Sequence, residues 1–396
     1  MDLKQLEDWR HFHHSLLCLD LLPYWERCGK DYQYGGFLNC MADTGEPISD
    51  DKYVWAQGSG LWAFSHVWAE GYDRNLRLRQ FLIKTRDFML AQGRDRSGKW
   101  RYRLGREGQP RQGAISVFSD IFAAMGLVEL HRAMDDPEAL EVAASTARGV
   151  IHRIRQRDFS AVAPYSMRPG THRQDVLFRT LDLLTQLLPL AGDPYLEAET
   201  DRLRVLLTER HADRRRRISI EVLGPDGAPS DEPAGRVFYP AHGIECARVL
   251  MEEACRRDKE ALLADAIEIM LWHLEAGWDR ESGGLFWALH IDRDRPPEDP
   301  EWQEKRLLPH VQALHALMLA HEHSGMSWTA DWFERVHRYT FDTFRDRIHG
   351  DLMRMVDREG HARAEAAVRV KDPFPPLRAV MGVIESIDRQ LLALAG

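Results

Sequence analysis

His242 and Glu245, in "PAHGIECARVLMEEACRR", carry the strongest chemical signal in the chain. A helix start ordinarily takes Ser, Thr, Asp or Asn as its cap. A histidine there packs, caps or does chemistry. An imidazole, with its ordinary pKa of ~6.5, suits removal of a proton next to a carbonyl near neutral pH. Glu245, three residues on, either orients that ring or caps the helix. His310, in "PHVQALHAL", also follows a proline at a helix start; it reads as a ligand contact, as a second acid/base or, with His315, as a core residue. Negative charge left on an oxygen by such a proton transfer needs donors around it, and Arg236, Lys305, Arg378 and the tryptophan indoles are candidates. Trp55, Trp302, Gln57, Gln312 and Asp120 complete an aromatic and polar set suited to a sugar. Tryptophan at helical spacing serves equally in a core, and Asp120 equally caps "IFAAMGLVEL". No HxH or HExxH pattern is present, so no metal is expected, and the residues call for no other cofactor.

Two kinds of element must position these groups. Turn signals centre near Gly45, Gly108, Gly170, Gly227, Asp294 and Gly360, roughly 60 residues apart, and such a period marks a repeat architecture. The clearest are a short strand, Asp-Gly or a relative, and a second polar arm, which is the pattern of a β-hairpin. Between them run apolar residues at i, i+3, i+4 and i+7, as in "LWAFSHVWAEGY" and "VQALHALMLAHEHS", each followed by a second helical stretch. Six helix pairs with hairpins close into an all-α (α/α)6 barrel with the hairpins at one mouth; an open α-solenoid is the alternative. The inner helices then point their N-termini, which favour anions and polar ligands, at that mouth.

The chain has 396 residues, 44% hydrophobic and 29% charged, and is read as one barrel domain spanning residues 1–396. A net charge of −9 gives no reason to expect nucleic acid, and the basic run "DRRRRIS" reads as a solvated loop. Five cysteines without CxxC argue against a disulfide framework and for a reducing compartment. No stretch approaches ~20 apolar residues, so neither membrane span nor signal peptide is expected. The expectation is a cytoplasmic protein with a small-molecule partner, as a monomer or a homodimer.

Five segments, in order and in register with the repeats, resemble the N-acylglucosamine 2-epimerase superfamily, which includes cellobiose and mannose 2-epimerases and aldose–ketose isomerases. They are "YGGFLNCMADTGEPISDDKYVWAQGSGLWAFSHVW", "REGQPRQGAISVFSDIFAAMGLVEL", "GRVFYPAHGIECARVLME", "SGGLFWALHIDRDRPPEDPEWQEKRLLPHVQALHAL" and "VKDPFPPLRAVM". The resemblance implies an (α/α)6 barrel with a sugar pocket, no obligatory metal, and chemistry at C2 of an open-chain sugar served by two histidines. It carries one of them onto His242 and its acidic partner onto Glu245.

Several positions depart from the family's pattern. The second histidine's place is Pro375, Gln312 replaces a carboxylate, Ser59 stands where many members have arginine, and Arg179 and Asp182 lie on an inner helix often rich in histidine. With His242 as the main base, an isomerase or epimerase of a mannose-like or N-acylhexosamine-like sugar is expected, ketose formation favoured. The alternative is a sugar-binding relative that has lost catalysis. A glycoside hydrolase, which needs two carboxylates across a glycosidic bond, ranks last.

Overall fold

The structure, a computed structural model, describes residues 1–156, 170–362 and 370–395. It is built from α1 (Leu3–Ser15), which runs through a π-helical segment into α2 (Leu22–Cys28), then α3 (Val54–Ala69), α4 (Leu76–Gln92), α5 (Val117–Met134), α6 (Pro137–Arg155), α7 (Gln174–Ala191), α8 (Pro194–Val205), α9 (Pro240–Arg257), α10 (Glu260–Gly277), α11 (Leu307–Ser324), α12 (Ser327–Thr343) and α13 (Phe374–Ala395). Neighbours α3, α5, α7, α9, α11 and α13 touch in that order, and α13 returns to α3, closing an inner ring. Helices α1, α4, α6, α8, α10 and α12 pack outside α13, α3, α5, α7, α9 and α11. The molecule is an all-α (α/α)6 barrel with short β-hairpins at one mouth. Among the described residues no helix is long and apolar enough to cross a membrane.

The sequence separates the two rings. An inner helix is covered on all sides, so α3, α5 and α11 bury residues around most of their circumference, whereas the outer α6 and α12 bury one stripe. Glycines set the closest approach of inner helices. A Cβ at Gly58 would lie 2.3 Å from the Phe122 carbonyl oxygen, and one at Gly126 would lie 2.4 Å from the Gly58 oxygen. Both obstacles are backbone. Gly58→Ala is therefore expected to cost at least about 1–3 kcal/mol, read as a lower denaturant midpoint at unchanged m-value.

The turns near Gly45, Gly108, Gly227 and Gly360 form as expected, each glycine at positive φ (91°, 100°, 82° and 92°) between antiparallel bridges. The one expected near Asp294 does not. Leu289–His290 pairs instead with Val237–Phe238 of the preceding unit. The same happens at 52–53 with 103–104, at 172–173 with 222–223 and at 305–306 with 355–356, so several strands stitch one unit to the next. Of the weak turn "APYSMRPG", only Gly170 lies within the described residues.

Three buried lysine–aspartate pairs lock these stitches just ahead of inner helices: Lys52–Asp31 (2.9 Å), Lys305–Asp279 (3.0 Å) and Lys371–Asp351 (3.0 Å). Two of the aspartates head the same loop, "DYQYGG" and "DRESGG". Its paired glycines at positive φ let the loop backbone bond back onto the aspartate's own amide and carbonyl.

Candidate active site

Outer helices α4, α6 and α8 start on Asn75, Asp136 and Asp193, whose side chains accept from the first-turn amides. Inner helices α3, α5, α7, α9 and α11 start on Tyr53, Ser116, Arg173, Tyr239 and Arg306 without a side-chain cap. No side chain caps these ends, though the first amides of α3, α7 and α11 donate to the Tyr102, Glu221 and Arg354 carbonyls; the inner helices still point the positive ends of their dipoles at the hairpin mouth, which favours negative charge there.

His242 lies in the first turn of α9 at this mouth. Its Nδ1 is 3.0 Å from both carboxyl oxygens of Glu221, which is 1% exposed in the bend between the short strands Ile218–Ser219 and Val222–Leu223. Glu221 accepts from a hydrogen on Nδ1, which places the lone pair of the neutral ring on Nε2. Nε2 makes no hydrogen bond among the described residues, and the side chain keeps 7% of its surface open. Arg173 binds both oxygens of Asp175 (2.8 and 2.7 Å) and approaches Glu221 (3.4 Å). Burial pushes the Asp175 carboxyl up, but Arg173 and its cationic neighbours outweigh it and hold the group well below the usual range. Glu245 pairs instead with Arg179 on α7 (3.2 Å). The resemblance assigned Glu245 as the acidic partner of His242; the geometry gives that contact to Glu221. Side-chain donor atoms of Asp175, Glu221 and His242 lie within 4.8 Å of one another, so these three could hold a metal ion. The Arg173 guanidinium already supplies positive charge there, and an incoming ion would have to displace it.

Rings extend from this cluster around the mouth. Phe178 and Tyr239 lie 6.0 and 5.1 Å from His242, Trp287 lies 5.1 Å from Tyr239, and Arg306 sits over Trp287 at 4.0 Å. In the other direction Arg179 contacts Phe178 and Phe118. Across the ring Trp55 touches Phe122, which meets Phe374 (6.3 and 5.8 Å). Trp55 is half-buried here, a place that suits a sugar face.

His310 does not join this cluster. Its Nε2 accepts from the Leu285 amide (2.8 Å), and its Nδ1 donates to the Arg306 carbonyl (2.7 Å). Both nitrogens are spent on backbone, in one tautomer. The ring stacks on Tyr339 of outer α12 at 5.1 Å, and burial pushes its pKa down to about 3. It is a spacer between the rings, as is His273, which bridges the Ile269 carbonyl and the Ser219 amide. Replacing His310 with Leu would strand a buried amide and a carbonyl. The expected cost is about 2–4 kcal/mol in urea unfolding, with kcat of the folded variant changed little.

Other sequence candidates are also placed in the scaffold. Gln57 is fully buried and holds the Phe37 amide (2.6 Å) and carbonyl (3.1 Å). Asp120 accepts from the Trp100 amide (3.2 Å) and from Arg153 of α6 (2.7 Å), facing outward; burial lifts its pKa to about 6 against the pull of Arg153. Lys305 is fully buried on Asp279 and lies 3.9 Å from the Phe286 ring centroid; burial takes its pKa down to about 8 despite that partner. Arg236 is an exposed residue of a 3-10 turn. Trp302 is half-buried in the loop before α11, against Phe286 (5.3 Å). Gln312 is buried on α11.

Arg378, one turn into α13, binds Asp182 at 2.6 and 2.8 Å, and Arg248 shares the same carboxylate at 2.8 Å. Glu252 bonds Arg248 at 2.6 Å and approaches Arg378 at 3.4 Å. Arg378 and Glu252 of this network also line a cavity of about 400 Å³ that extends towards the C-terminal ends of the inner helices, with Trp62, His66, Gln186, His315 and Glu385 among its walls. There His66 lies between Glu129 (2.8 Å) and Glu385 (2.5 Å); burial opposes its charge, but the two carboxylates raise its pKa to about 9.

Glu221, Tyr239, Trp287 and Phe122 escaped sequence reasoning. One signal was present for Glu221: an acid inside the otherwise apolar "ISIEVLG" is costly to bury unless paired.

The sequence model of the N-acylglucosamine 2-epimerase family matches residues 35–372. N-acylglucosamine 2-epimerases from Homo sapiens and Rattus norvegicus are 28% and 27% identical over 352 and 350 residues, 86% of this chain and 81% and 82% of theirs. Among solved structures, cellobiose 2-epimerase from Spirochaeta thermophila superposes with a TM-score of 0.84 at 19% identity, over 98% of this chain and 99% of that one. A D-mannose isomerase does so with a TM-score of 0.78 at 14% identity, over 97% and 98%. The structural likenesses speak for the fold, the family match for descent: the chain belongs to the N-acylglucosamine 2-epimerase family, whose members are sugar epimerases and isomerases.

Proposed function

We propose that this protein interconverts reducing sugars at C2 through an enediolate, with His242 as the base. The observation that carries this reading is the His242–Glu221 contact. Glu221 holds Nδ1 and orients the ring, so Nε2 meets substrate at the mouth. As the ring takes the C2 proton on Nε2, the hydrogen on Nδ1 stays held by Glu221, so the ring keeps its orientation through the step. The positive end of the α9 dipole, at the helix start beside His242, offers favourable potential to the enediolate oxygens. Trp55, Tyr239 and Trp287 supply faces for the sugar ring carbons.

The proposed main product is the ketose of a mannose-like or N-acylhexosamine-like aldose. Epimerisation needs a proton on either face of C2, whereas one base carries a proton between C2 and C1 on a single face. Pro375, in the first turn of α13, has no proton to give, and His310 is occupied elsewhere. The test is proton NMR of reducing aldoses with the enzyme in deuterated water. Loss of the C2 proton signal with ketose appearing supports the reading. A rapidly formed C2 epimer as main product would overturn the one-base part. Sugar binding without exchange would instead favour the non-catalytic reading, to which Pro375 also lends itself.

A further inference from the structure

Asp372 stands just before α13, joined to the helix diametrically across the ring from α9. Its Oδ1 accepts from the Phe374 amide (3.0 Å) and from the Ser59 hydroxyl on α3 (2.9 Å). Oδ2 accepts no hydrogen bond among the described residues, and the side chain is not wholly covered. Beside it stands the Trp55–Phe122–Phe374 wall. Charged groups on the surrounding elements are committed elsewhere. Lys371 is bound to Asp43 and Asp351, Arg354 to Asp43, Arg378 to Asp182 and Glu252, and His66 to Glu129 and Glu385. None of these ion pairs includes Asp372.

We propose that Asp372 is a second proton-transfer group of this mouth, acting on the oxygens of the sugar while His242 acts on its carbons. This inference rests on the C2 isomerase reading above. Neutral Asp372 donates its proton to O1 of the open-chain aldose as His242 Nε2 removes the C2 proton. The C2–H electron pair forms the C1=C2 bond, and the carbonyl pair of C1 becomes the new O1–H bond. In the return step the Asp372 carboxylate takes the O2 proton, C2=O2 forms, and the His242 imidazolium returns its proton to C1. Aldose becomes ketose, and both side chains end as they began. A group for this task must be protonated near neutrality and able to release its proton readily. Burial, with no cationic partner among the described residues, does this for Asp372, lifting its pKa to about 7.

The test uses the full chain, wild type and Asp372→Asn, with reducing aldohexoses. Asn keeps the shape and the acceptor for Ser59 and Phe374, so the thermal midpoint should stay close to wild type. Expected results are a kcat lowered about 100-fold with KM changed little, and a wild-type kcat that falls as pH rises through about 7, a limb absent from the variant. Asp372→Glu should restore part of the rate and the limb. In a side-chain 13C NMR titration the Asp372 carboxyl should titrate near 7 without any substrate. An active wild type whose Asp372→Asn variant keeps its rate and alkaline limb overturns this inference and leaves the isomerase reading standing. So does a carboxyl that titrates near 4. Absence of C2 exchange in the wild type with every aldohexose overturns the isomerase reading itself, and this role with it.

Discussion

His242→Asn is expected to lower kcat/KM by about 10²–10⁴, the range set by removing a positioned general base, while leaving the fold in place. Asn retains a polar group near Glu221 but has no basic nitrogen for a C–H proton. The side chain sits in the first turn of α9 with its outer nitrogen unbonded, so little packing is lost. Far-ultraviolet circular dichroism and the thermal midpoint should match wild type, and C2 proton exchange in deuterated water should fall with turnover. Glu221→Gln should lose less, because the base remains and only its orientation and charge support weaken. Combined with His242→Asn, it should add almost nothing, since residues acting as a unit are not additive. Full activity in His242→Asn would overturn the site assignment.

Acidification from pH 7 to 5 is expected to remove on the order of 4 kcal/mol of stability, a large share of a typical domain's 5–15 kcal/mol. Burial pushes His13 and His310 down to about 3, His273 to about 4 and His337 to about 2. An unfolded histidine takes up its proton near 6.5, and the folded ones do not. Their contribution is thus intact above pH 6.5 and lost as pH falls from there towards the folded values, roughly 2 kcal/mol each by pH 5. Asp120 and Asp372, raised to about 6 and about 7, oppose this: folded, they bind protons in this window that the unfolded carboxylates do not. His66, raised to about 9, contributes stability that is fully present below 6.5 and lost above 9, so it shifts little across most of the range. Urea unfolding at the two pH values measures the difference. His13 and His337 lie 5.2 Å apart among Trp9, Phe12, Phe333 and Phe341, and neither His13 nitrogen has a hydrogen-bond partner among the described residues. Changing both to Leu should remove about 4 kcal/mol of this dependence, leaving the stability nearly level between pH 7 and 5. A wild-type stability that does not change from pH 7 to 5 would refute this account.

What could be read from the chain follows the range of the interactions involved. The helix periodicity in "IFAAMGLVEL" or "VQALHALMLAHEHS" is local, and it decided the inner helices on its own. So did the Gly45, Gly108, Gly227 and Gly360 turns, because a positive φ is a property of the glycine itself. The period of these signals pointed to six units and hence to a ring. The motif around His242 carried the family because its spacing lies within one strand, turn and helix. The Asp294 hairpin failed for a non-local reason: Leu289–His290 finds a better partner in the preceding unit.

Residue type alone could not separate His242 from His310. Both follow proline at the head of an inner helix, and their sequence contexts are alike. What differs is the chain brought against each. Around His310 these are the Leu285 amide, the Arg306 carbonyl and Tyr339 of the outer ring, which fill both nitrogens and exclude water. Around His242 it is Glu221, 21 residues away, on one nitrogen only. Asp120 and Gln57 turned outward for the same reason, since Arg153 and the Phe37 backbone satisfy them there. The sequence determined the repeat, the two rings and the mouth, all products of local periodicity. Tertiary structure alone decided which polar groups are spent on backbone and ion pairs and which are left for substrate, because a buried polar group takes whatever partner the fold brings within about 3 Å.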